Sequence, residues 1–121
     1  MGKTYSIGVM GGDGIGPEVA AEAVKVLRKA QDGFSLEFTD YPYGADHYLQ
    51  TGELLPDAAI EKLRKHDAIF LGALGDPRVA TGVLERQILL KARFAMDLYV
   101  NLRPIKLYAE YLCPLKGKGP K

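Results

Sequence analysis

Apolar residues along the chain follow two periods, one typical of β-strands and one typical of α-helices. Short apolar or alternating runs at Tyr5–Met10, Phe34–Thr39 and Ala68–Gly72 predict three strands, because polar or glycine-containing segments bound each run. Apolar residues recur at helical spacing from Pro17 to about Ala30, where Pro17 takes the first helical position that proline favours. The first half of the chain therefore predicts strand, helix and strand in succession.

The second half continues the alternation. Residues 44–56 predict a short helix and a turn, and Pro56 opens a second clear helix. After the third strand and a glycine-rich loop, Leu84–Phe94 predicts a further helix, and Leu98–Leu102 predicts a fourth strand closed by Arg103-Pro104. This order predicts the α/β class, with a mainly parallel sheet flanked by helices. In such sheets the functional loops lie beyond the carboxyl ends of the strands.

Composition narrows the class of protein. The 121 residues carry 16 Lys+Arg against 15 Asp+Glu, so the formal net charge of +1 offers no electrostatic footprint for nucleic acid or an anionic membrane. No apolar run is long enough to cross a bilayer, and the N-terminus lacks the apolar core of a signal peptide. The single Cys113 excludes an internal disulfide. We expect a cytoplasmic protein that binds neither nucleic acid nor membrane.

The stretch GGDGIGPE, Gly11–Glu18, lies between the first strand and the first helix, where many enzymes hold a phosphate. It matches neither standard motif: the third glycine of the dinucleotide fingerprint is replaced by Pro17, and the phosphate-loop lysine is absent. What remains is a tight turn whose backbone can approach a ligand. Asp13 either caps the helix that follows or accepts from a ligand's ribose or amide.

Arginines in the region LERQILLKARFAMDLYVNLRP indicate carboxylate chemistry. Arg86 and Arg93 are seven residues apart and share a face of an α-helix, while Arg103 ends the next predicted strand. A guanidinium binds a carboxylate bidentately, so two of them in one cleft favour a dicarboxylic acid. Leu89, one turn before Arg93, adds an apolar side chain that suits an aliphatic branch. The alternative is that these arginines are surface residues or pair with nearby carboxylates.

Taken together, GDGIGPE, LGALGDP and LLKARFAMDLYVNLRP resemble the family of decarboxylating β-hydroxyacid dehydrogenases, which includes 3-isopropylmalate, isocitrate and tartrate/D-malate dehydrogenases. The resemblance runs from Ser6 to about Lys116, and within the family the isopropylmalate branch, a leucine-biosynthesis enzyme, is most similar. The tartrate branch tends to carry an aromatic residue where this chain has Arg86.

The resemblance implies oxidation of a 2-hydroxy dicarboxylic acid by NAD, followed by loss of carbon dioxide, with Mg or Mn polarising the forming ketone. It implies that Arg93 and Arg103 bind the two malate carboxylates, with Leu89 facing the aliphatic branch. The cofactor contacts that it implies are Ile15, in the first loop, and Gly75 and Asp76, in the segment beside the nicotinamide. Asp76 replaces the glycine that many members carry at this position.

The resemblance covers only about the first third of a typical member. It implies that residues 1–104 form the N-terminal part of the first α/β domain, and that residues 105–121 begin the next segment or form a frayed tail. The family's metal-binding aspartates and its catalytic lysine and tyrosine fall beyond these residues, so no catalytic or metal-binding residue is assigned here. We expect this chain to be inactive alone and the intact enzyme to be a homodimer. The alternatives are a tartrate/D-malate enzyme or a short non-catalytic module that binds a carboxylate or a partner.

Overall fold

The computed structural model describes residues 2–119; the last two residues of the predicted frayed tail lie outside this range. Within residues 2–119, three strands, four α-helices, a π-helical segment and one 3₁₀ turn follow one another. Their bounds are β1 Thr4–Gly12, α1 Gly16–Lys29, β2 Ser35–Asp40, α2 Ala45–Thr51, α3 Asp57–Leu63, β3 Ala68–Ala73, the π-helical segment Glu85–Leu90, α4 Lys91–Ala95 and the 3₁₀ turn Glu110–Leu112. The predicted α/β class is confirmed.

The strands form a parallel sheet in the order β2-β1-β3. β1 is the central strand, with Ile7 beside Phe38 of β2 and Ala68 of β3. The chain moves outwards from β1 to β2 through α1, then crosses back through α2 and α3 to β3. This reversal of direction makes the gap between β1 and β3 the topological switch point, the place where doubly wound sheets bind their ligands.

The two faces of the sheet are covered by different helices. Alternation along β1 turns Val9 towards α1, where it lines a cleft with Ala20, and turns Met10 into the main core on the opposite face. That core is closed by α3 and by the start of the π-helical segment. Its buried members are Met10, Ala45, Leu55, Ala59, Ile60, Leu63, Val79, Leu84 and Ile88.

A histidine bridges three segments on the core face. His66 Nδ1 lies 2.6 Å from the Ser6 hydroxyl of β1, and His66 Nε2 lies 2.8 Å from the Tyr41 hydroxyl that follows β2. Both rings cross over Gly8, where an added Cβ would meet His66 Cδ2 at 3.0 Å. The bridge stabilises the packing of these segments. Tyr41 and Ser6 lie 25 and 60 positions from His66, so sequence spacing does not predict these contacts.

The predicted fourth strand, Leu98–Leu102, is wrong. After α4 the chain turns at Asp97, whose φ of 57° is left-handed, and then continues without regular secondary structure and with no strand partner among residues 2–119. An apolar run alone is not sufficient to predict a strand, because a strand forms only where a second strand supplies its hydrogen bonds. Without one, large apolar side chains from this segment onwards stay exposed, among them Tyr99, Leu102, Ile105, Tyr108 and Tyr111.

Candidate ligand crevice at the switch point

The first loop, Gly11–Gly16, and the second loop, Ala73–Pro77, meet backbone to backbone beyond the ends of β1 and β3. A Cβ added to Gly72 would lie 2.1 Å from the Gly11 carbonyl oxygen, and one added to Gly16 would lie 2.1 Å from the same atom. Any side chain at either position would separate the start of α1 from β3. The glycines that resemble a phosphate motif therefore serve a close helix–strand contact, whatever the loop binds.

Asp13 joins three segments at this crevice. Its carboxylate accepts from the Ala45 amide at the start of α2 at 2.6 Å and from the Gly75 amide of the second loop at 3.0 Å. Its own amide donates to the Ala73 carbonyl at 2.6 Å, and the residue is 6% exposed. Of the two alternatives for Asp13, the cap of the helix that follows it is wrong, since α1 has no side-chain cap. Backbone amides far apart in sequence take up the carboxylate instead.

An ion pair supports the second loop from outside. Arg78 donates through Nε to Asp76 Oδ1 at 2.9 Å, and through Nη2 to Asp76 Oδ2 at 2.7 Å and to Asp46 Oδ1 at 2.6 Å. Hydrogen bonds from the Arg78 side chain, and then from its amide, lower the pKa of Asp76 from 3.8 to about 2. Asp76, a predicted cofactor contact, is thus held as a carboxylate turned towards Arg78.

This pair predicts a measurable pH dependence. Because the folded-state pKa of Asp76 is depressed, the pair's contribution to stability is complete above the ordinary Asp pKa of about 3.9 and is lost as pH falls towards about 2. The Asp76 carboxyl carbon, followed by NMR, should titrate near pH 2. Arg78→Gln should return the midpoint towards the ordinary value, whereas Arg64→Gln should not move it. A wild-type midpoint near 4 would contradict the bridge.

The other predicted cofactor contacts, Gly75 and Ile15, lie in the second and the first loop. Gly75 lines an open cavity of about 380 Å³ that runs to the start of the π-helical segment. Glu85 closes its far side, with a carboxylate oxygen 3.5 Å from where a Cβ of Gly75 would be. Ile15 projects from the first loop and is 69% exposed. Sequence reasoning missed Glu85 as a neighbour of the second loop, because its approach depends on how residues 76–84 fold back.

Of the predicted substrate residues, Leu89 and Arg93 lie together. Both line an apolar cavity of about 160 Å³ between β3 and the helical segment. The half-buried Arg93 donates through Nη2 to the Val100 carbonyl at 3.3 Å. None of the ion pairs within residues 2–119 involves Arg93 or Arg103. Arg103 is exposed on the unpaired segment and lies outside this cavity.

The prediction that Arg86 and Arg93 share a face rested on α-helical geometry, which does not apply throughout. Residues Glu85–Leu90 are π-helical, and the amide of Lys91 at their end bonds to the Arg86 carbonyl, five residues back. Arg86 donates to the Gly82 carbonyl before the segment, at 3.0 Å, while Arg93 donates beyond its end. π-Helical turns are rare and occur frequently at functional sites. This one lies between the crevice and the cavity of Leu89 and Arg93.

The described part of the chain contains no set of side chains that could bind a metal ion. No group of three or more His, Cys, Asp or Glu side chains among residues 2–119 is arranged to hold a metal ion. Within the same range, no helix is long and apolar enough to cross a membrane.

The sheet order and the paired loops define a doubly wound α/β protein with a candidate ligand crevice at its switch point. The chain belongs to the isocitrate/isopropylmalate dehydrogenase family, whose model matches residues 6–120. This confirms the family resemblance of the three motifs.

Individual relatives agree with the family match. The chain is 52% identical over 121 residues to the 3-isopropylmalate dehydrogenase of Thermobifida fusca, covering 98% of this chain and 34% of the relative. It is 58% identical over 114 residues to that of Corynebacterium diphtheriae, covering 93% and 33%. The chain thus spans about a third of the length of these relatives, as predicted.

Solved structures show the same fold. A β-decarboxylating dehydrogenase from Thermococcus kodakarensis in its apo form superposes with a TM-score of 0.60 at 33% identity, covering 78% of this chain and 27% of that one. A protein from Thermus thermophilus superposes with a TM-score of 0.69 at 30% identity, covering 94% and 22%. The predicted isopropylmalate-dehydrogenase-like fold is confirmed.

Proposed function

We propose that this chain supplies one wall of the active site of an NAD-dependent oxidative decarboxylase of 3-isopropylmalate. The observation that carries the proposal is the pairing of Leu89 with Arg93 on one apolar cavity. A guanidinium beside aliphatic side chains suits a substrate with both a carboxylate and an aliphatic branch. The similarity to enzymes named 3-isopropylmalate dehydrogenase supports the same substrate.

In this proposal Arg93 binds one carboxylate of the malate skeleton and Leu89 contacts the branch. Arg103 binds the second carboxylate once its segment is held against the rest of an intact enzyme. Ile15, Gly75 and Asp76 line the nicotinamide side of the crevice. NAD, when bound, supplies the hydride acceptor. The proposal assigns Mg or Mn to the family's aspartates in the intact enzyme and to no residue of 2–119, where no group of three or more His, Cys, Asp or Glu is arranged to hold a metal ion.

The same division sets the proposed boundaries. Residues 1–104 form the N-terminal part of the first α/β domain, and residues 105–121 lead into the next segment. Support comes from the order of elements, which ends its regular α/β pattern at α4. A cytoplasmic location and a homodimeric intact enzyme complete the proposal.

The test compares the chain alone with a fusion protein, in which this chain replaces the matching N-terminal third of the Thermobifida fusca relative. We expect the isolated chain to reduce no NAD with isopropylmalate and Mg, and the fusion protein to do so. The substrate panel adds tartrate, D-malate and isocitrate, of which isopropylmalate should react fastest. Activity in the isolated chain, or a folded but inactive fusion protein, would contradict the proposal.

A further inference from the structure

We propose that Asp13 is a positioning residue for the cofactor side of the crevice, because its carboxylate sets the position of the second loop. The inference rests on the proposed function, because it concerns the second loop, which that proposal places beside NAD. Asp13 itself does not contact the ligand in this proposal. Both of its carboxylate oxygens are already taken up by the backbone amides of Ala45 and Gly75.

The first support is the completeness of this arrangement. The Asp13 amide donates to the Ala73 carbonyl, and the Asp13 carbonyl accepts from the Gly16 amide at 2.8 Å. All the polar groups of a residue only 6% exposed are therefore directed at the protein itself. A buried carboxylate that accepts from two amides stabilises the position of those amides more than a neutral side chain of the same shape would, because hydrogen bonds to a charged group are stronger.

The second support is a parallel tie between the same two segments. Asp13 joins the Ala45 amide of α2 to the Gly75 amide, and Arg78 joins the neighbouring Asp46 to Asp76. The start of α2 and the second loop are thus connected twice, once in the buried layer and once at the surface. Gly75, with a φ of 137°, stands where the chain must turn towards the crevice. The buried tie fixes that turn.

The space around the carboxylate is also specific. A Cβ added to Gly44 would lie 2.6 Å from Asp13 Oδ1, so residue 44 leaves room for the carboxylate at the start of α2. The φ of Gly44 is 173°, an extended value that any residue adopts. Gly44→Ala therefore displaces the Asp13 carboxylate without changing its charge, and its Cβ also comes within 3.2 Å of the Gly12 carbonyl oxygen. It offers a second route to the same test.

The experiment uses the ¹⁵N-labelled 121-residue chain and two readouts, amide hydrogen exchange without ligand and NMR titration with NAD. In Asp13→Asn we expect the Gly75 amide to exchange at least about tenfold faster, since an amide group cannot replace both acceptors. Amides of β1 should stay within about twofold of wild type. NAD affinity should fall about tenfold. Gly44→Ala should repeat both effects in the same direction.

Asp40→Asn is the matched control, because Asp40 is an exposed carboxylate at the end of β2. NAD carries negatively charged phosphates, so removal of a carboxylate should by charge alone strengthen binding slightly. If Asp13→Asn binds NAD more weakly than wild type while Asp40→Asn binds it equally or more tightly, the effect of Asp13 comes from positioning the second loop and not from its charge.

Three results would overturn the inference: unchanged exchange at Gly75, a loss of protection spread equally over β1 and β3, or NAD affinity unaffected by faster loop exchange. If the wild-type chain shows no NAD-dependent shifts, that result counts against the proposed cofactor site. The exchange measurement still decides whether Asp13 holds the loop.

Discussion

Replacing Gly72 by alanine is expected to remove most or all of the cooperative folding of this chain. A Cβ at this position would lie 2.1 Å from the Gly11 carbonyl oxygen and 2.9 Å from that of Gly16. Both obstacles are backbone atoms, so no side-chain rotation relieves them. Either β3 must separate from β1 or α1 must lift from the sheet, and each change exposes buried apolar surface. We expect a loss of more than about 4 kcal/mol, against a total stability of about 5–15 kcal/mol for a typical domain.

The measurement is urea unfolding followed by circular dichroism, with Gly14→Ala as the control. Gly14 lies in the same loop with a φ of 55°, but an added Cβ there has no atom within 4 Å. Its cost should be limited to the left-handed backbone, about 1–2 kcal/mol. Comparing Gly72→Ala with Gly14→Ala therefore distinguishes the cost of disturbing the backbone contact beside Gly11 from the cost of a left-handed residue in the first loop. Equal losses in the two variants would contradict the close contact described above.

Arg93→Ala in the fusion protein is expected to lower kcat/KM for isopropylmalate by about 30-fold to 5,000-fold, the range that corresponds to about 2–5 kcal/mol for truncating one partner of a desolvated charge pair. The expectation follows from the half-buried position of Arg93 beside Leu89 and from its lack of an ion-pair partner within residues 2–119. A guanidinium with no carboxylate of its own has its charge available for a ligand. Arg93→Lys should recover only part of the activity, because an ammonium lacks the planar fork.

Arg86→Ala provides the comparison for this prediction. Arg86 lies seven residues earlier and donates to the Gly82 carbonyl, so its loss should change kcat/KM by less than about threefold. Initial rates over a range of isopropylmalate concentrations, at saturating NAD and Mg, distinguish the two variants. If Arg93→Ala behaves like Arg86→Ala, Arg93 is a surface residue and the proposed substrate wall is wrong.

Local pattern was sufficient for the elements whose partners are supplied nearby. Apolar runs predict β1 and β3, alternation predicts β2, and helical spacing predicts α1 and α3, because burial against neighbouring elements leaves these patterns in the sequence. The run Leu98–Leu102 has the same local character, yet it forms no strand. No segment of residues 2–119 supplies it with a hydrogen-bonding partner, and a pattern within one segment carries no information about partners.

For the candidate site, the sequence by itself determined the family and the residue types: glycines and an aspartate after β1, a glycine-rich loop after β3, and Leu89 four residues before Arg93. Only the tertiary structure decided what these residues do to one another. In the structure Asp13 does not cap α1, and its carboxylate joins the amides of Ala45 and Gly75, which are 32 and 62 positions away. The structure also packs Gly72 against the Gly11 carbonyl. The physical reason is distance along the chain. Periodicity and motif spacing report contacts within a few residues, whereas the crevice is built from contacts that exist only once the strands lie side by side.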